Sequence, residues 1–213
     1  MTIPPRYAYL HGFASGPLAR KAVQLAAAFE ARGLVLERPD LNRPSFAALT
    51  FTGALAAVDA LVTASGGPWC LVGSSMGGAI AALYANANPE RVARLVLLCP
   101  GFGLADRWPA VLGADVMKHW RETGTLVVPD GAGTPTALHY RFVEDSATYL
   151  RAPSVSCPTL VFHGQRDETI PIESSRAWVA AHPNATLIEL DDDHRLLASA
   201  AQIGAAALDF FLT

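Results

Sequence analysis

Charged residues and cysteines are scarce in this 213-residue chain, and each scarcity excludes a class of protein. Charged residues make up 16% of the chain, with 16 Lys and Arg against 19 Asp and Glu, for a net charge of −3. So little positive charge offers no field for a phosphate backbone, and we expect no nucleic-acid partner. The three cysteines, Cys70, Cys99 and Cys157, are too few and too scattered for a disulfide framework. They are typical of a reducing, cytoplasmic compartment.

The sequence also lacks the features of a signal peptide and of a membrane-spanning helix. The first ten residues lack a basic head followed by an apolar run. The most apolar stretches, 54–62 and 79–87, fall well short of the roughly 18 uninterrupted residues that a span requires. We therefore expect a cytoplasmic protein with no membrane partner. The 51% hydrophobic content then fills the core of a single domain over residues 1–213.

Short β-type runs alternate along the chain with longer Ala- and Leu-rich stretches of helical period. This alternation predicts βαβ units, which give an α/β fold with a mostly parallel sheet and helices on both faces. The predicted strands are 7–10, 35–38, 69–72, 95–98, 159–162 and 186–190. The predicted helices are 21–32, 45–65 with Ser45 as N-cap, 79–87, 173–181 and 196–211.

Residues 101–157 interrupt this rhythm with three proline breaks and two tryptophans, Trp108 and Trp120. We predict short helices over 110–123 and 136–150 in this segment. Long excursions between core strands are commonly functional, so we interpret 101–157 as an inserted lid. Its apolar side chains are candidates to line a substrate pocket beneath it and favour a small, mostly uncharged acyl group. The candidates are Trp108, Trp120, Phe102, Leu112 and Met117.

The most informative passage is Gly73-Ser74-Ser75-Met76-Gly77-Gly78, which matches G-x-S-x-G between a buried strand and a helix. A serine in so tight a turn requires small neighbours two positions before and after it. The turn exposes the hydroxyl at the sheet edge, beside a helix N-terminus that favours developing negative charge. Ser75 is therefore the candidate nucleophile. Ser74 lacks the flanking glycines, and a plain Gly/Ser turn is the alternative interpretation.

A serine hydroxyl needs a base to accept its proton, and the base in turn needs an acid to orient it. The expected chain order is Ser, Asp, His. His194 follows the last strand, and Asp167 follows the strand before it. Asp193 would have to fold back across the backbone to reach the neighbouring ring, whereas Asp167 approaches from the side. Asp167 is the candidate acid, with Glu168 and Asp191 as alternatives.

The other histidines have less specific contexts. His119, His139 and His182 are interpreted as solvated or capping residues, and His163, at a strand end, as structural. No second histidine at ligand spacing accompanies His194, so we expect no metal.

Two backbone N–H groups are candidates to bind the oxyanion of the substrate. Met76 follows the nucleophile, and Phe13 follows the turn at Gly12 after the first strand; each such donor contributes about 2.7–4 kcal/mol. An ordinary glycine turn is the alternative. His11, Gly12 and Asp40 lie at the same predicted sheet edge and are candidate substrate contacts. No phosphate-binding glycine motif occurs, and we expect no cofactor.

Four passages together resemble the α/β-hydrolase family, most closely its small bacterial esterase-like serine hydrolases. The passages are Tyr9–Phe13 with Ser15, Gly73–Gly78, His163–Glu168 and Asp191–Leu196. The resemblance implies an α/β-hydrolase fold with Ser75 as nucleophile, His194 as base, Asp167 as acid, and Phe13 and Met76 at the oxyanion. The chain departs from the family by beginning at what would be its third strand, so we expect the leading antiparallel strands to be absent or very short.

The expected activity is hydrolysis of a carboxylic ester of a small-molecule acyl substrate. A thioesterase, a C–C bond hydrolase and a perhydrolase on the same frame are alternatives, as is a non-catalytic binding protein. The Ala-rich helices permit a monomer or a homodimer.

Overall fold

A six-stranded parallel sheet forms the centre of the fold in the computed structural model, which describes residues 4–213. The strands of the chain are β1 (Arg6–Leu10), β2 (Leu36–Glu37), β3 (Trp69–Ser74), β4 (Val92–Leu98), β5 (Thr125–Pro129), β6 (Pro135–His139), β7 (Thr159–Gly164) and β8 (Ala185–Leu190). The central sheet has the order β2-β1-β3-β4-β7-β8, and all its neighbouring strands run parallel. The predicted parallel sheet is confirmed.

Helices cover both faces of this sheet. They are α1 (Arg20–Glu30), α2 (Phe51–Ser65), α3 (Met76–Ala87), α4 (Leu104–Leu112), α5 (Ala114–Thr123), α6 (Arg141–Ser146), α7 (Ile172–Ala180) and α8 (Ala200–Leu212). One hydrophobic cluster joins α1 and α8 to one face, and a second joins α2, α3 and α7 to the other. No described helix is long and apolar enough to cross a membrane.

The apolar run of β3 explains why this strand lies at the centre. Leu71 packs into the cluster of α2 and α3, while Cys70 and Val72 pack into the cluster of α1 and α8. The side chains alternate because successive residues of a strand point to opposite faces. Both faces are covered, so the strand is apolar throughout, and each large side chain buried contributes about 1.5–3 kcal/mol.

The long helix predicted over 45–65 is wrong in its first part. A 3-10 turn occupies Phe46–Ala48, and α2 begins only at Phe51. Thr50, rather than Ser45, caps α2: its Oγ accepts a hydrogen bond from the N–H of Gly53 at 3.0 Å. The last helix likewise begins at Ala200, after Leu196 adopts a φ of 53° that no helix accepts.

Residues 101–157 contain α4, α5 and α6 and an antiparallel hairpin of β5 and β6. The helix predicted over 136–150 is wrong, because Pro135–His139 pairs as a strand and only Arg141–Ser146 is helical. Asp130 closes the hairpin turn by accepting hydrogen bonds from the N–H groups of Ala132 and Thr134 at 2.8 and 2.9 Å.

The strand order places four loops at one edge of the sheet. The strand β2 lies on one side of β1 and β3 lies on the other, so the strand order has a topological switch point between β1 and β3. Ligands of open α/β sheets bind at such a point, outside the carboxyl ends of the strands. Leu10 is paired with Gly73, so the loop after β1 lies beside the turn after β3. Gly164 is paired with Leu190, so the loops after β7 and β8 are also neighbours.

Candidate active site

The turn after β3 holds Ser75 in a strained backbone conformation with φ 55° and ψ −119°. Such strain costs about 1–3 kcal/mol and persists only where the surroundings fix it. Here the N–H of Ser75 donates to the carbonyl of Leu98 at 2.9 Å, and its carbonyl accepts from Gly78 and Gly101 at 2.9 and 2.8 Å. The hydroxyl is thereby held at the carboxyl edge of the sheet.

The glycines around Ser75 are required by close backbone contacts. A Cβ at Gly73 would lie 2.4 Å from the carbonyl oxygen of Gly77, and a Cβ at Gly77 would lie 2.1 Å from that of Leu10. Any larger residue at either position would push β1 and α3 away from β3. The sequence argument for small neighbours therefore agrees with the backbone geometry.

Ser75, His194 and Asp167 lie in one chain of hydrogen bonds. His194 Nε2 is 3.1 Å from Ser75 Oγ, and His194 Nδ1 is 2.7 Å from Asp167 Oδ2. An ionised carboxylate only accepts hydrogen bonds, so Nδ1 carries the imidazole proton and Nε2 presents its lone pair to the serine hydroxyl. This is the tautomer that a general base requires.

Asp167 remains ionised although its side chain has no exposed surface. Burial alone would raise the pKa of Asp167, but hydrogen bonds from His163, His194 and the N–H of Ile170 outweigh it and hold the pKa well below its ordinary range. Oδ1 accepts from the N–H groups of Thr169 and Ile170 at 2.9 and 2.8 Å. The loop after β7 thus fixes the carboxylate that faces His194.

His163 is the fixed neighbour of this carboxylate. Its Nε2 lies 3.2 Å from Asp167 Oδ2 and 2.9 Å from the carbonyl of Ile170, and both partners are acceptors, so Nε2 carries the proton. Nδ1 then accepts from the hydroxyl of Ser175 at 2.7 Å. The structural role predicted for His163 is therefore a specific one: it donates to Asp167.

Cys99, His163 and Asp167 place potential metal-ligand atoms within 4.8 Å of one another. Burial raises the pKa of the Cys99 thiol to about 12, so the thiol stays protonated. The facing nitrogen of His163 carries a proton, and both oxygens of Asp167 already accept hydrogen bonds, so these groups fit a hydrogen-bonded cluster better than a metal site.

The loop after β1 passes directly over the nucleophile. A Cβ at Gly12 would lie 3.2 Å from Ser75 Cβ, which shows how closely the two backbones approach. The ring of Phe13 packs in a cluster with Trp108, Phe142 and Phe46, at centroid distances of 5.2–5.3 Å. Residues 101–157 therefore brace this loop.

His11 braces the same loop and does not face the substrate side. It is 1% exposed; its Nε2 accepts from the N–H of Leu41 at 2.9 Å, so Nδ1 donates to the carbonyl of Gly12, also at 2.9 Å. Burial lowers the pKa of His11, in agreement with a neutral ring. Asp40 lies 3.4 Å from His11 and is half exposed in a neighbouring hollow, so it does not line the cleft at Ser75.

The cleft that contains Ser75 has a volume of about 340 Å³, and its lining differs from the one we expected. Its lining residues come from the loop after β1, the start of α1, the end of β3 and the loop before α8, and none of them belongs to 101–157. Trp120 is fully buried and donates to the carbonyl of Leu138, and Trp108 packs on Phe13, so neither tryptophan lines this cleft. The lining residues are Tyr9, Gly12, Phe13, Ala14, Ser15, Ala19, Arg20, Lys21, Ser74, Ser75, His194, Arg195 and Leu197.

Lys21 is a member of the site that no sequence pattern indicates. Its Nζ donates to Ser74 Oγ at 3.0 Å, across 53 positions of the chain. Burial lowers the pKa of Lys21 to about 8, against the opposing effects of Cys99 and nearby aspartates. Ser74 is thus engaged with Lys21, and His194 contacts Ser75.

The alternative acids are far less suited to orient His194. Glu168 is exposed, and Asp191, 82% exposed, pairs with Arg166. Asp193 accepts a hydrogen bond from the N–H of Arg195. The remaining histidines agree with expectation, because His119 and His139 are exposed and His182 bonds the carbonyl of Trp178 near the end of α7.

A family model described as "Uncharacterised protein family (UPF0227)" matches residues 6–211. Over 115 residues the chain is 30% identical to the mouse palmitoyl-protein thioesterase ABHD10, mitochondrial; the match spans 51% of this chain and 38% of the mouse protein. The chain thus matches less than half the length of that relative.

Two solved structures are similar over almost the whole chain. Mouse alpha/beta hydrolase domain-containing protein 10 has a TM-score of 0.81 at 22% identity, covering 99% of this chain and 90% of that one. Est1E from Butyrivibrio proteoclasticus has a TM-score of 0.79 at 20% identity, covering 100% and 88%. The fold is therefore the α/β-hydrolase fold, and the chain belongs to the UPF0227 family.

Proposed function

We propose that this protein is a serine hydrolase that cleaves a carboxylic ester or a related acyl bond through an acyl-enzyme. The observation that carries the proposal is the continuous hydrogen-bonded chain from Ser75 through His194 to Asp167. Its members come from three separate loops, and the strained turn at Ser75 has a stability cost that a structural serine would not require.

In the proposed mechanism, Ser75 Oγ attacks the acyl carbon while His194 Nε2 accepts the hydroxyl proton. The carbonyl π bond opens, and its oxygen becomes the oxyanion. When the tetrahedral intermediate collapses, the bond to the leaving group breaks and His194 returns the proton to the departing atom. A water molecule then attacks the acyl carbon of the acyl-enzyme while His194 accepts its proton. The bond to Ser75 Oγ breaks, His194 returns the proton to this oxygen, and the carboxylic acid leaves. Asp167 holds the imidazole in its tautomer and stabilises the imidazolium.

The N–H groups of Phe13 and Met76 are the proposed oxyanion donors. Within residues 4–213 neither N–H has a hydrogen-bond partner, which leaves both available to a substrate oxygen. Met76 begins α3, whose N-terminus adds a favourable field. The contact of Gly12 with Ser75 brings the loop of Phe13 to the same point.

A thioester is the second candidate substrate, because the matched mouse relative is a palmitoyl-protein thioesterase. The same attack and proton return apply to a thiolate leaving group. The C–C hydrolase, perhydrolase and binding-protein alternatives have no comparable support.

Steady-state kinetics with p-nitrophenyl butyrate and an S-butyryl thioester test the proposal. We expect turnover of at least one acyl substrate, and a loss of at least about 10³-fold in kcat for Ser75→Ala and His194→Ala. The matched control is Ser156→Ala, because Ser156 is an exposed serine in the segment before β7 and does not line the cleft at Ser75. Equal rates for wild type and Ser75→Ala on every substrate would contradict the proposal.

A further inference from the structure

We propose that the cleft at Ser75 selects acyl substrates that carry a negatively charged carboxylate or phosphate group. This inference rests on the proposed hydrolase function and specifies its substrate class. It replaces the expectation of a mostly uncharged substrate, which depended on the apolar side chains of 101–157; those side chains do not line this cleft.

The cleft concentrates positive charge in a chain of net charge −3. Among residues 4–213, its lining includes Arg20, Lys21 and Arg195 and no aspartate or glutamate. His194, also in the lining, lies beside Arg195. Walls of one sign around a small cleft focus the field and raise the local concentration of a ligand of opposite charge.

The two cations of α1 lie at its N-terminus, where a positive charge destabilises a helix. Arg20 and Lys21 are the first two residues of α1, and the first turn of this helix holds no acidic residue. The N-terminus of a helix is its positive end, so each cation there costs stability instead of adding it. Cations that are unfavourable for the helix but lie at the edge of a cleft indicate that these positions were selected for binding a ligand.

Arg20 and Arg195 have little negative charge next to them, whereas Lys21 is buried near aspartates and already donates to Ser74. The salt-bridge contact of Arg195 in the described residues is with Asp193 at 3.6 Å, and the side chains are 75% and 51% exposed. Arg20 makes no salt bridge within residues 4–213. A weak exposed pair of this kind leaves Arg195 free to bind another anion.

The adjoining hollow has the opposite character. It shares Ser15 and Ala19 with the cleft at Ser75, but its charged lining groups are Asp40 and Asp130. An anionic substituent is therefore attracted towards Arg20 and Arg195 and repelled from this hollow. The difference in charge between these two hollows favours binding of the anionic group on the side of Arg20 and Arg195.

Two pairs of esters test the inference, each pair differing in one charge. The first pair is 4-(butyryloxy)benzoate and 4-(butyryloxy)benzamide, in which the charge lies on the leaving group. The second is phenyl hydrogen adipate and phenyl methyl adipate, in which it lies on the acyl group. We expect kcat/KM to favour the anion by about tenfold in at least one pair, because each exposed cation contributes a few-fold.

Arg20→Gln and Arg195→Gln should each lower the ratio of anionic to neutral kcat/KM by about three- to fivefold. Arg32→Gln is the control, because Arg32 follows the far end of α1, and the last helical residue, Glu30, is about 15 Å from Arg20 along the helix axis. We expect it to leave the ratio unchanged. Raising the ionic strength to 0.5 M should also reduce the preference, since the cations are exposed.

The outcomes separate the inference from the proposed function. Ratios near one in both pairs, or a preference that neither Arg20→Gln nor Arg195→Gln reduces, would overturn the inference, while Ser75-dependent hydrolysis of the neutral esters would leave the proposed function standing. Absence of Ser75-dependent hydrolysis in all four esters would overturn both. The pair that shows the preference identifies which part of the substrate carries the charge.

Discussion

Asp167→Asn tests how the carboxylate controls the tautomer of His194. Asp167 Oδ2 faces the proton-bearing nitrogens of His194 and His163, and Oδ1 faces the N–H groups of Thr169 and Ile170. An asparagine has one oxygen and one NH₂. Whichever way it is oriented, the NH₂ meets two donors, because all four surrounding groups donate.

The magnitude follows from this count. Two donors left facing a buried NH₂ cost about 1–3 kcal/mol each. If the NH₂ faces His194, the imidazole turns to the other tautomer and its Nε2–H points at Ser75, so the base is lost. We expect kcat to fall by on the order of 10³–10⁴-fold, and the melting temperature to fall by on the order of 10 °C.

The assay is ester hydrolysis together with thermal unfolding of the same samples. Asp191→Asn is the control, since this exposed carboxylate pairs with Arg166 and represents the alternative acid. It should retain kcat within about twofold and the melting temperature within a few degrees. An Asp167→Asn variant with kcat within tenfold of wild type would refute the assignment of the acid.

Three further expectations follow from other parts of the site. Gly77→Ala should abolish activity and lower the yield of folded protein, because its Cβ would overlap the carbonyl of Leu10. Gly16→Ala is the control and should be neutral by circular dichroism and kinetics, because a Cβ added there would have no heavy atom of residues 4–213 within 4 Å apart from its chain neighbours. The pKa of Asp167 is lower in the folded state than its ordinary value of 3.8. The ionised carboxylate therefore stabilises the fold fully above pH 3.8, and this stabilisation is lost progressively as the pH falls below 3.8. The difference in unfolding free energy between wild type and Asp167→Asn should therefore narrow from pH 5 to pH 2 in denaturant titrations, and a constant difference would contradict it. Folding lowers the pKa of Lys21 from 10.5 to about 8, so the folded state binds fewer protons than the unfolded state between these pH values. The unfolding free energy of wild type should therefore rise relative to that of Lys21→Met from pH 8 to pH 10.5, by on the order of 1–3 kcal/mol. A constant difference between the two proteins over this range would contradict the expectation.

The parts of the site that could be predicted from the sequence are those set by local backbone rules. Gly73, Ser75 and Gly77 define their turn within five residues, and the turn forces the contacts that the structure shows. His194 and Asp167 follow predicted strands, so parallel topology alone brings their loops to one edge. The sequence motifs indicate which residues meet, but the hydrogen-bond distances between their side chains come only from the structure.

What could not be predicted depends on packing between distant segments. Lys21 meets Ser74 only because α1 lies against the end of β3, and no periodicity signals a contact between one helix and one strand end. The β5–β6 hairpin is missing from the prediction although Asp130 and Gly133 mark its turn, because the helix predicted over 136–150 occupies most of β6. The length and the apolar side chains of 101–157 predict a pocket beneath this segment, yet the indole of Trp108 packs on Phe13.

Labelling with a fluorophosphonate probe, followed by peptide mass spectrometry, tests the central claim most directly. The probe requires a serine whose hydroxyl is activated by a neighbouring base. We expect one equivalent of phosphonate on Ser75, no label in Ser75→Ala, and strongly slowed labelling in Asp167→Asn. Folded wild-type protein that takes up no label, or that carries it on Ser74, would contradict the claim.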